Sequence, residues 1–204
     1  MYKFWKRVFD LCSSLTLLLI ISPLFLLLAI LVRIYLGSPI LFCQERTGKG
    51  MKTFLIIKFR TMTNAKDANG NLLPDVERST KFGKWLRSSS LDEIPELFNI
   101  IKGDMSVIGP RPLPAEYNDY YKSEELGRFN VRGGLITPDS IDQNPVISWD
   151  KQLKYEADYG NDLSFKKDIN IFLGVFNILL KRTKNSYGSF VRNPLNVERA
   201  NMNK

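Results

Sequence analysis

Hydrophobic positions are spread unevenly along this chain. Residues 11–32 carry no charge and are mostly leucine and isoleucine. A bilayer-crossing helix needs about 20 apolar residues, so the run is long enough to span. It is too long for a signal peptide, and no small-residue cleavage site follows it. Ser22-Pro23 interrupts its middle. Proline lacks an N–H and crowds the preceding turn, which kinks or breaks a helix. Lys3, Lys6 and Arg7 precede the run, and Arg33, Arg46, Lys49, Lys52, Lys58 and Arg60 follow it. Basic flanks stay on the cytoplasmic side. On these features alone two readings stand level. One is a plain span, since proline is tolerated in membrane helices. The other is a helix-break-helix that enters and leaves by one face.

Beyond this run the pattern predicts mixed structure. Pro39-Ile40-Leu41-Phe42-Cys43 and Thr53-Phe54-Leu55-Ile56-Ile57 are short apolar runs around a turn-like Thr47-Gly48-Lys49-Gly50, which reads as a hairpin. Residues 63–78 are polar, with Asn69-Gly70-Asn71 as a surface loop. Helical spacing returns at Ile94, Leu97, Phe98 and Ile101, and Gly103 is the stop signal. Pro110 and Pro112 fix an extended stretch around Arg111. Residues 116–128, charged and tyrosine-rich, read as a surface helix. Ile171, Phe172, Val175, Phe176, Leu179 and Leu180 form an apolar stripe flanked by Lys166, Lys167, Lys181, Arg182 and Lys184. The stripe reads first as a helix packed on the core, and alternatively as one lying in a membrane interface. The tail after residue 190 reads as weakly ordered. No internal repeat is present.

Composition narrows the chemistry. With 29 lysines and arginines against 21 acids, the net charge of +8 suits nucleic acid, an anionic membrane face or phosphate-bearing substrates. No helix-turn-helix or single-strand-binding signature occurs, and Gly48-Lys49-Gly50 is not a P-loop. Nucleic acid is therefore set aside as a partner. The chain has no histidine, which removes the commonest general base and transition-metal ligand. Cys12 and Cys43 form no zinc-spaced cluster or disulfide framework. Acid-base and metal work falls to carboxylates, lysine and tyrosine, and a metal would be a hard cation such as magnesium.

The chemistry concentrates at Arg87-Ser88-Ser89-Ser90-Leu91-Asp92-Glu93-Ile94-Pro95-Glu96. Ser90 and Glu93 fit a helix capping box, although Pro95 favours a helix start nearer Asp92. In either register Asp92 and Glu93 lie at a helix N-terminus, where N–H groups favour anions and a carboxylate should remain ionised. Lys58, Arg60, Lys81, Lys84, Arg87 and Arg111 are the cations nearest in sequence. Arg111 stands out because prolines bracket it, and its planar fork suits phosphate oxygens.

Three ordered strings carry a resemblance to a known family. They are Lys58-Phe59-Arg60-Thr61-Met62, then Leu91-Asp92-Glu93-Ile94-Pro95-Glu96-Leu97-Phe98-Asn99, then Lys102-Gly103-Asp104-Met105-Ser106-Val107-Ile108-Gly109-Pro110-Arg111-Pro112. With the Ser22-Pro23 apolar segment, they make the chain resemble the bacterial sugar transferases. These monotopic phosphoglycosyl transferases start lipid-linked glycan assembly. The likeness covers most of residues 1–182 and is densest over 37–114. It implies an α+β, mainly helical fold. Residues 1–36 would be a re-entrant membrane helix broken at Ser22-Pro23. Residues 37–190 would be a small catalytic domain with a β-hairpin and interfacial amphipathic helices, on the cytoplasmic face of the bacterial inner membrane. Residues 191–204 would be a C-terminal tail.

The resemblance further implies a catalytic dyad, Asp92 and Glu93, holding Mg2+. Lys58, Arg87 and Arg111 would line the phosphate site. The donor would be a UDP-sugar and the acceptor polyprenyl (undecaprenyl) phosphate. Asp92 would release UMP and carry the phosphosugar to the lipid. Membrane lipids and downstream glycosyltransferases are the implied partners, and capsule, O-antigen, exopolysaccharide or glycoprotein glycans the implied products. One stretch departs from the pattern. After Arg132-Gly133-Gly134 the family usually continues Thr-Gly-x-x-Gln-Val-x-Gly-Arg, whereas here Leu135-Ile136-Thr137-Pro138-Asp139-Ser140-Ile141-Asp142-Gln143-Asn144 follows. Ile147-Ser148-Trp149 then resumes the likeness, and no substrate contact is assigned to 135–144.

Overall fold

The computed structural model describes residues 1–142, 147–181 and 192–200. Gln143-Asn144 of the divergent stretch and the basic residues Arg182 and Lys184 lie outside the described residues. The fold is mostly helical with a few strands and one long apolar N-terminal helix. Two compact units interleave in sequence. One contains Leu11–Gln44 and Leu55–Lys102; the other contains Met1–Asp10, Glu45–Phe54 and Gly103–Lys204.

The N-terminal helix α1 runs over Tyr2–Leu36 and is helical through Pro23. Helical structure thus continues across Ser22-Pro23, where an interruption was expected, and a proline there bends a helix without ending it. The physical reason for this continuity is local. Proline at 23 leaves the Leu19 carbonyl without its usual N–H partner, and the Ser22 hydroxyl donates to that carbonyl at 2.9 Å. At about 1.5 Å per residue, α1 is longer than the roughly 30 Å hydrocarbon core of a bilayer. It is the one described helix long and apolar enough to cross a membrane.

In the first unit, α1 buries only one side. Leu28, Val32 and Leu36, one helical turn apart, pack with Phe59 and Leu86. Leu15, Leu17, Leu19, Ile20, Leu26 and Leu27 remain exposed. Strands β1 (Leu41–Thr47) and β2 (Thr53–Phe59) pair as the expected hairpin, whose turn and adjoining residues, Glu45–Phe54, are counted with the second unit. Met62 pairs with Ser79, and Lys66 with Leu72, pinning the polar loop between them, which ends in the short helix α2 (Asp75–Arg78). Helix α3 (Lys81–Ser88) is capped by Thr80, whose hydroxyl accepts from the Gly83 N–H. Helix α4 (Glu96–Lys102) ends at Gly103, whose φ of +100° is easy only for glycine.

In the second unit, β3 (Met105–Ile108) pairs in parallel with β5 (Gly133–Ile136), and β4 (Leu113–Pro114) pairs antiparallel with the end of β1. Gly109 and Gly134 allow the backbones to meet: a Cβ on Gly134 would lie 2.0 Å from the Gly109 nitrogen. Residues 116–128 are not a surface α-helix. They form 3₁₀ turns at Ala115–Tyr120 and Ser123–Asn130 and bury Tyr117, Glu125 and Arg128. Helix α5 (Trp149–Asn161) lies against the second of these.

Helix α6 (Phe165–Lys181) meets the expectation of core packing in part: Ile171 is buried in a cluster with Ile108, Val131 and Tyr159. Asp168 points inward, taking hydrogen bonds from Tyr2, Lys6 and Tyr159. Phe165, Ile169, Phe172, Leu173 and Phe176 face outward and exposed. The start of α1 is bolted to the same unit. Besides Tyr2 and Lys6, Asp10 accepts from the Ser106 hydroxyl at 2.8 Å and the Val107 N–H at 3.0 Å. Residues 192–200 are not weakly ordered either. Helix α7 (Leu195–Ala200) buries Leu195 and Arg199. Arginine-mediated docking leaves little hydrophobic periodicity to read.

The α1 packing makes a stability prediction. Leu86 is fully buried, so Leu86→Ala should cost about 2–5 kcal/mol. Ile30→Ala, at an exposed position, should stay within about 0.5 kcal/mol. Denaturation in a single detergent, followed by circular dichroism, compares the two.

Candidate active site

Asp92 lies in a 3₁₀ turn, Leu91–Glu93, that leads into α4. The capping box is not formed. Ser90 adopts a left-handed conformation at φ 56° and its side chain caps nothing. Pro95 supplies no N–H, so the regular helix begins only at Glu96. The turn is held from below: Leu91 and Ile94 pack against the cluster formed by α1, Phe59 and Leu86.

Lys58, on β2, reaches this turn. Its Nζ lies 2.8 Å from Glu93 Oε1 and 3.0 Å from Glu96 Oε1. Its reach depends on how β2 meets α4. Asn99 donates to the Leu55 carbonyl at 2.7 Å and accepts from the Ile57 N–H at 3.0 Å. That side chain is buried and fully used as a clasp. Arg87, exposed at the end of α3, donates to the Thr61 hydroxyl at 2.9 Å. Helix α3 can lie this close to Thr61 because residue 83 is glycine; a Cβ there would sit 1.8 Å from the Thr61 carbonyl oxygen.

Asp92 is itself buried, only 7% exposed. Burial pushes its carboxyl above the ordinary aspartate range, and neighbouring Glu93 pushes it further. Lys58 and Arg87 oppose the rise. This differs from a helix-N-terminal carboxylate held ionised by free N–H groups, because desolvation outweighs the local dipoles. The arrangement is a carboxylate kept short of solvent but faced by two cations, which suits attack on an anionic phosphorus centre.

The structure thus brings together Asp92, Glu93, Lys58 and Arg87, and adds Glu96, Asn99 and Thr61, which sequence reasoning did not single out. Glu96 and Asn99 lie three and six residues after Glu93, a helical spacing that was available as a signal. Arg60 is no phosphate ligand. It is buried, and its guanidinium caps the end of α1 through the Leu36 and Ser38 carbonyls. Lys81 and Lys84 are exposed.

Arg111 belongs to the other unit. Its side chain is exposed while its main chain is held on both sides. Its N–H donates to Glu156 Oε1 at 3.1 Å, and its carbonyl accepts from Arg128 at 2.5 Å. Among the described residues no group of three acidic or thiol side chains converges as a metal cage. A magnesium ion that keeps phosphate oxygens in its shell needs only one or two carboxylates, and Asp92 and Glu93 fit that more limited role.

The carboxyl shift has a signed consequence. A carboxyl raised by folding costs stability once it must ionise, and the cost disappears below the unfolded value near about 3.9. Asp92→Asn should therefore melt higher than the parent at pH 7, with the gain fading as the pH falls toward about 4 and absent below it. Melting curves across that range test it, and a variant less stable at pH 7 would show that the cations already overcompensate burial.

Comparison with known proteins identifies the family. The family model described as bacterial sugar transferase matches residues 1–182. The chain is 41% identical over 166 residues to the uncharacterized sugar transferase EpsL of Bacillus subtilis (strain 168), covering 81% of this chain and 82% of that protein. It is 34% identical over 197 residues to a UDP-glucose:undecaprenyl-phosphate glucose-1-phosphate transferase of Caulobacter vibrioides, covering 89% of this chain and 72% of the relative. It is 38% identical over 139 residues to the UDP-N-acetylgalactosamine-undecaprenyl-phosphate N-acetylgalactosaminephosphotransferase of Aeromonas hydrophila, covering 66% of this chain but 33% of that protein. The chain is therefore a transferase enzyme and belongs to the bacterial sugar transferase family.

Proposed function

We propose that this enzyme transfers a phosphosugar from a UDP-sugar to polyprenyl (undecaprenyl) phosphate, giving polyprenyl-diphosphate-sugar and UMP. The carrying observation is a buried Asp92 faced by Lys58 and Arg87. The names of the relatives from Caulobacter vibrioides and Aeromonas hydrophila supply the donor and acceptor classes.

In the first step an Asp92 carboxylate oxygen bonds to the sugar-bearing phosphorus. The bond from that phosphorus to the bridging oxygen breaks, and UMP leaves with the oxygen. In the second step an oxygen of the polyprenyl phosphate attacks the same phosphorus and the Asp92 carboxylate is restored. Neither step requires a proton transfer, which suits a chain without histidine. Lys58 and Arg87 balance charge on the transferring group, and Arg111 binds phosphate from a main chain that cannot shift. Mg2+, when held by Asp92 and Glu93, would supply further positive charge to the phosphates.

The reading predicts ping-pong kinetics and one stoichiometric burst of UMP when no lipid acceptor is present. Rapid-quench intact mass should show a phosphosugar adduct that is absent from Asp92→Asn. UMP appearing only with both substrates bound would exclude the covalent route. Screening UDP-sugars for UMP release identifies the donor.

We also propose that α1 is re-entrant, at the cytoplasmic face of the inner membrane. Tyr2, Lys6 and Asp10 are held by Asp168, Ser106 and Val107. Since α1 is the one described helix able to cross, those partners lie on the same face as the chain that leaves α1 at Leu36. Both ends then share a face, as the basic flanks require. The outward apolar side of α6, with exposed Phe4, Trp5 and Phe9 at the start of α1, supplies interfacial contact. With Cys12 and Cys43 replaced, a cysteine at position 3 should resist impermeant maleimide in intact cells and react in inverted vesicles. Labelling in intact cells would establish a span instead.

A further inference from the structure

Arg111 has an exposed side chain on a main chain fixed by groups that solvent never reaches. Glu156 is fully buried, Arg128 nearly so, and the two form an ion pair at 2.8 Å. Glu156 Oε1 takes the Arg111 N–H while Arg128 donates to the Arg111 carbonyl. The peptide of one exposed arginine therefore closes a ring with a buried ion pair. Burying such a pair carries a desolvation cost and gives stability only weakly. Fixing a surface arginine is a role that matches the geometry.

The ring does not end at Glu156. Gln152, also buried, donates to the same Glu156 Oε1 at 3.0 Å. The Gln152 carbonyl oxygen accepts from Arg192 at 2.7 Å. Arg192 spends its other nitrogen on the Ile147 carbonyl at 2.7 Å and lies 3.5 Å above the Trp149 ring. The segment that carries it is firmly attached. The Trp149 indole donates to the Asn193 carbonyl at 2.9 Å, Leu195 is buried, and Arg199 grips both carboxylate oxygens of Glu125. All of these residues lie in one compact unit, and Arg192 lies beyond the stretch matched by the family model.

We propose that the C-terminal segment 192–200 is a positioning element for Arg111, acting through Arg192, Gln152 and Glu156. Arg192 touches neither substrate nor Asp92 chemistry in this role. Its fork and its stack on Trp149 hold the Gln152 amide in one orientation. That orientation keeps Glu156 Oε1 aimed at the Arg111 N–H, and so fixes the main chain from which the arginine projects. The inference rests on the phosphate role proposed for Arg111.

A double-mutant cycle tests it, because a residue that acts through another loses its effect when the other is removed. Arg111→Ala should lower kcat by about 10²–10³, the scale of one lost oxyanion contact. Arg192→Ala should lower kcat about tenfold in the parent, in keeping with the sensitivity of rate to sub-ångström misplacement. In the Arg111→Ala background the same change should cost less than about twofold. Arg192→Lys keeps the charge without the fork and serves in the same cycle if the alanine variant melts below the assay temperature. Equal losses in both backgrounds, or parental turnover in the Arg192 variants, overturn the inference and leave the proposed function standing. Parental activity in a folded Arg111→Ala protein overturns both the inference and the phosphate role of Arg111.

Discussion

Leu28, Val32 and Leu36 occupy one side of a helix whose remaining sides are also apolar but uncovered. That side is the only part of the apolar run packed on Phe59 and Leu86, and the same cluster carries Leu91 and Ile94. The turn presenting Asp92 is therefore seated on the long apolar helix itself. The hydrophobic contact that packs α1 thus also seats the turn that carries the proposed nucleophile. The Asn99 side chain clasps the β2 backbone and Gly83 lets α3 approach the Thr61 carbonyl, so the surroundings of the turn are fixed from two further directions. Core packing tolerates little slack, so the seat is well defined.

The site then trades stability for reactivity. Burial opposes ionisation of Asp92, and Lys58 cannot serve it alone because its ammonium already spans Glu93 and Glu96. Three carboxylates within five residues share that one lysine and the exposed Arg87. A protein selected only for stability would replace Asp92 with a neutral residue. Keeping it makes sense where a desolvated anion beside cations is the working part.

The hairpin, the stop at Gly103 and the span of α4 were legible because each is written in local pattern. The gathering of Lys58, Arg87 and Asp92 is not local; it depends on β2, α3 and the 3₁₀ turn meeting, and only family resemblance pointed to it. Three features resisted for separate physical reasons. Pro23 reads as a break, yet Ser22 Oγ takes over the orphaned Leu19 carbonyl. Ser90 and Glu93 read as a capping box, yet Pro95 delays the helix. Residues 192–200 read as a loose tail because Arg192 and Arg199 do the docking, and arginines in sequence look like solvated surface. The stripe on α6 carried its period faithfully but not its full direction: Ile171 packs in the core as expected, while Phe172 and Phe176 stay exposed and a buried Asp168 takes part of the inner face.

Absence of histidine is the constraint that makes the rest of the chemistry coherent. The attacking groups in both proposed steps, a carboxylate and a phosphate, are already anions, so no base is needed to create them. The demand shifts to two other quantities. One is charge, since each step brings anion to anion; fixed cations answer it, and their value rises as water is excluded. The other is hydrolysis, since an aspartyl phosphosugar waiting for a lipid acceptor is exposed to attack by water. A carboxylate 7% exposed, on a turn packed over α1, would limit that attack. The burial that raises the Asp92 carboxyl is thus the same burial that would protect its adduct, and neither property can be removed without the other.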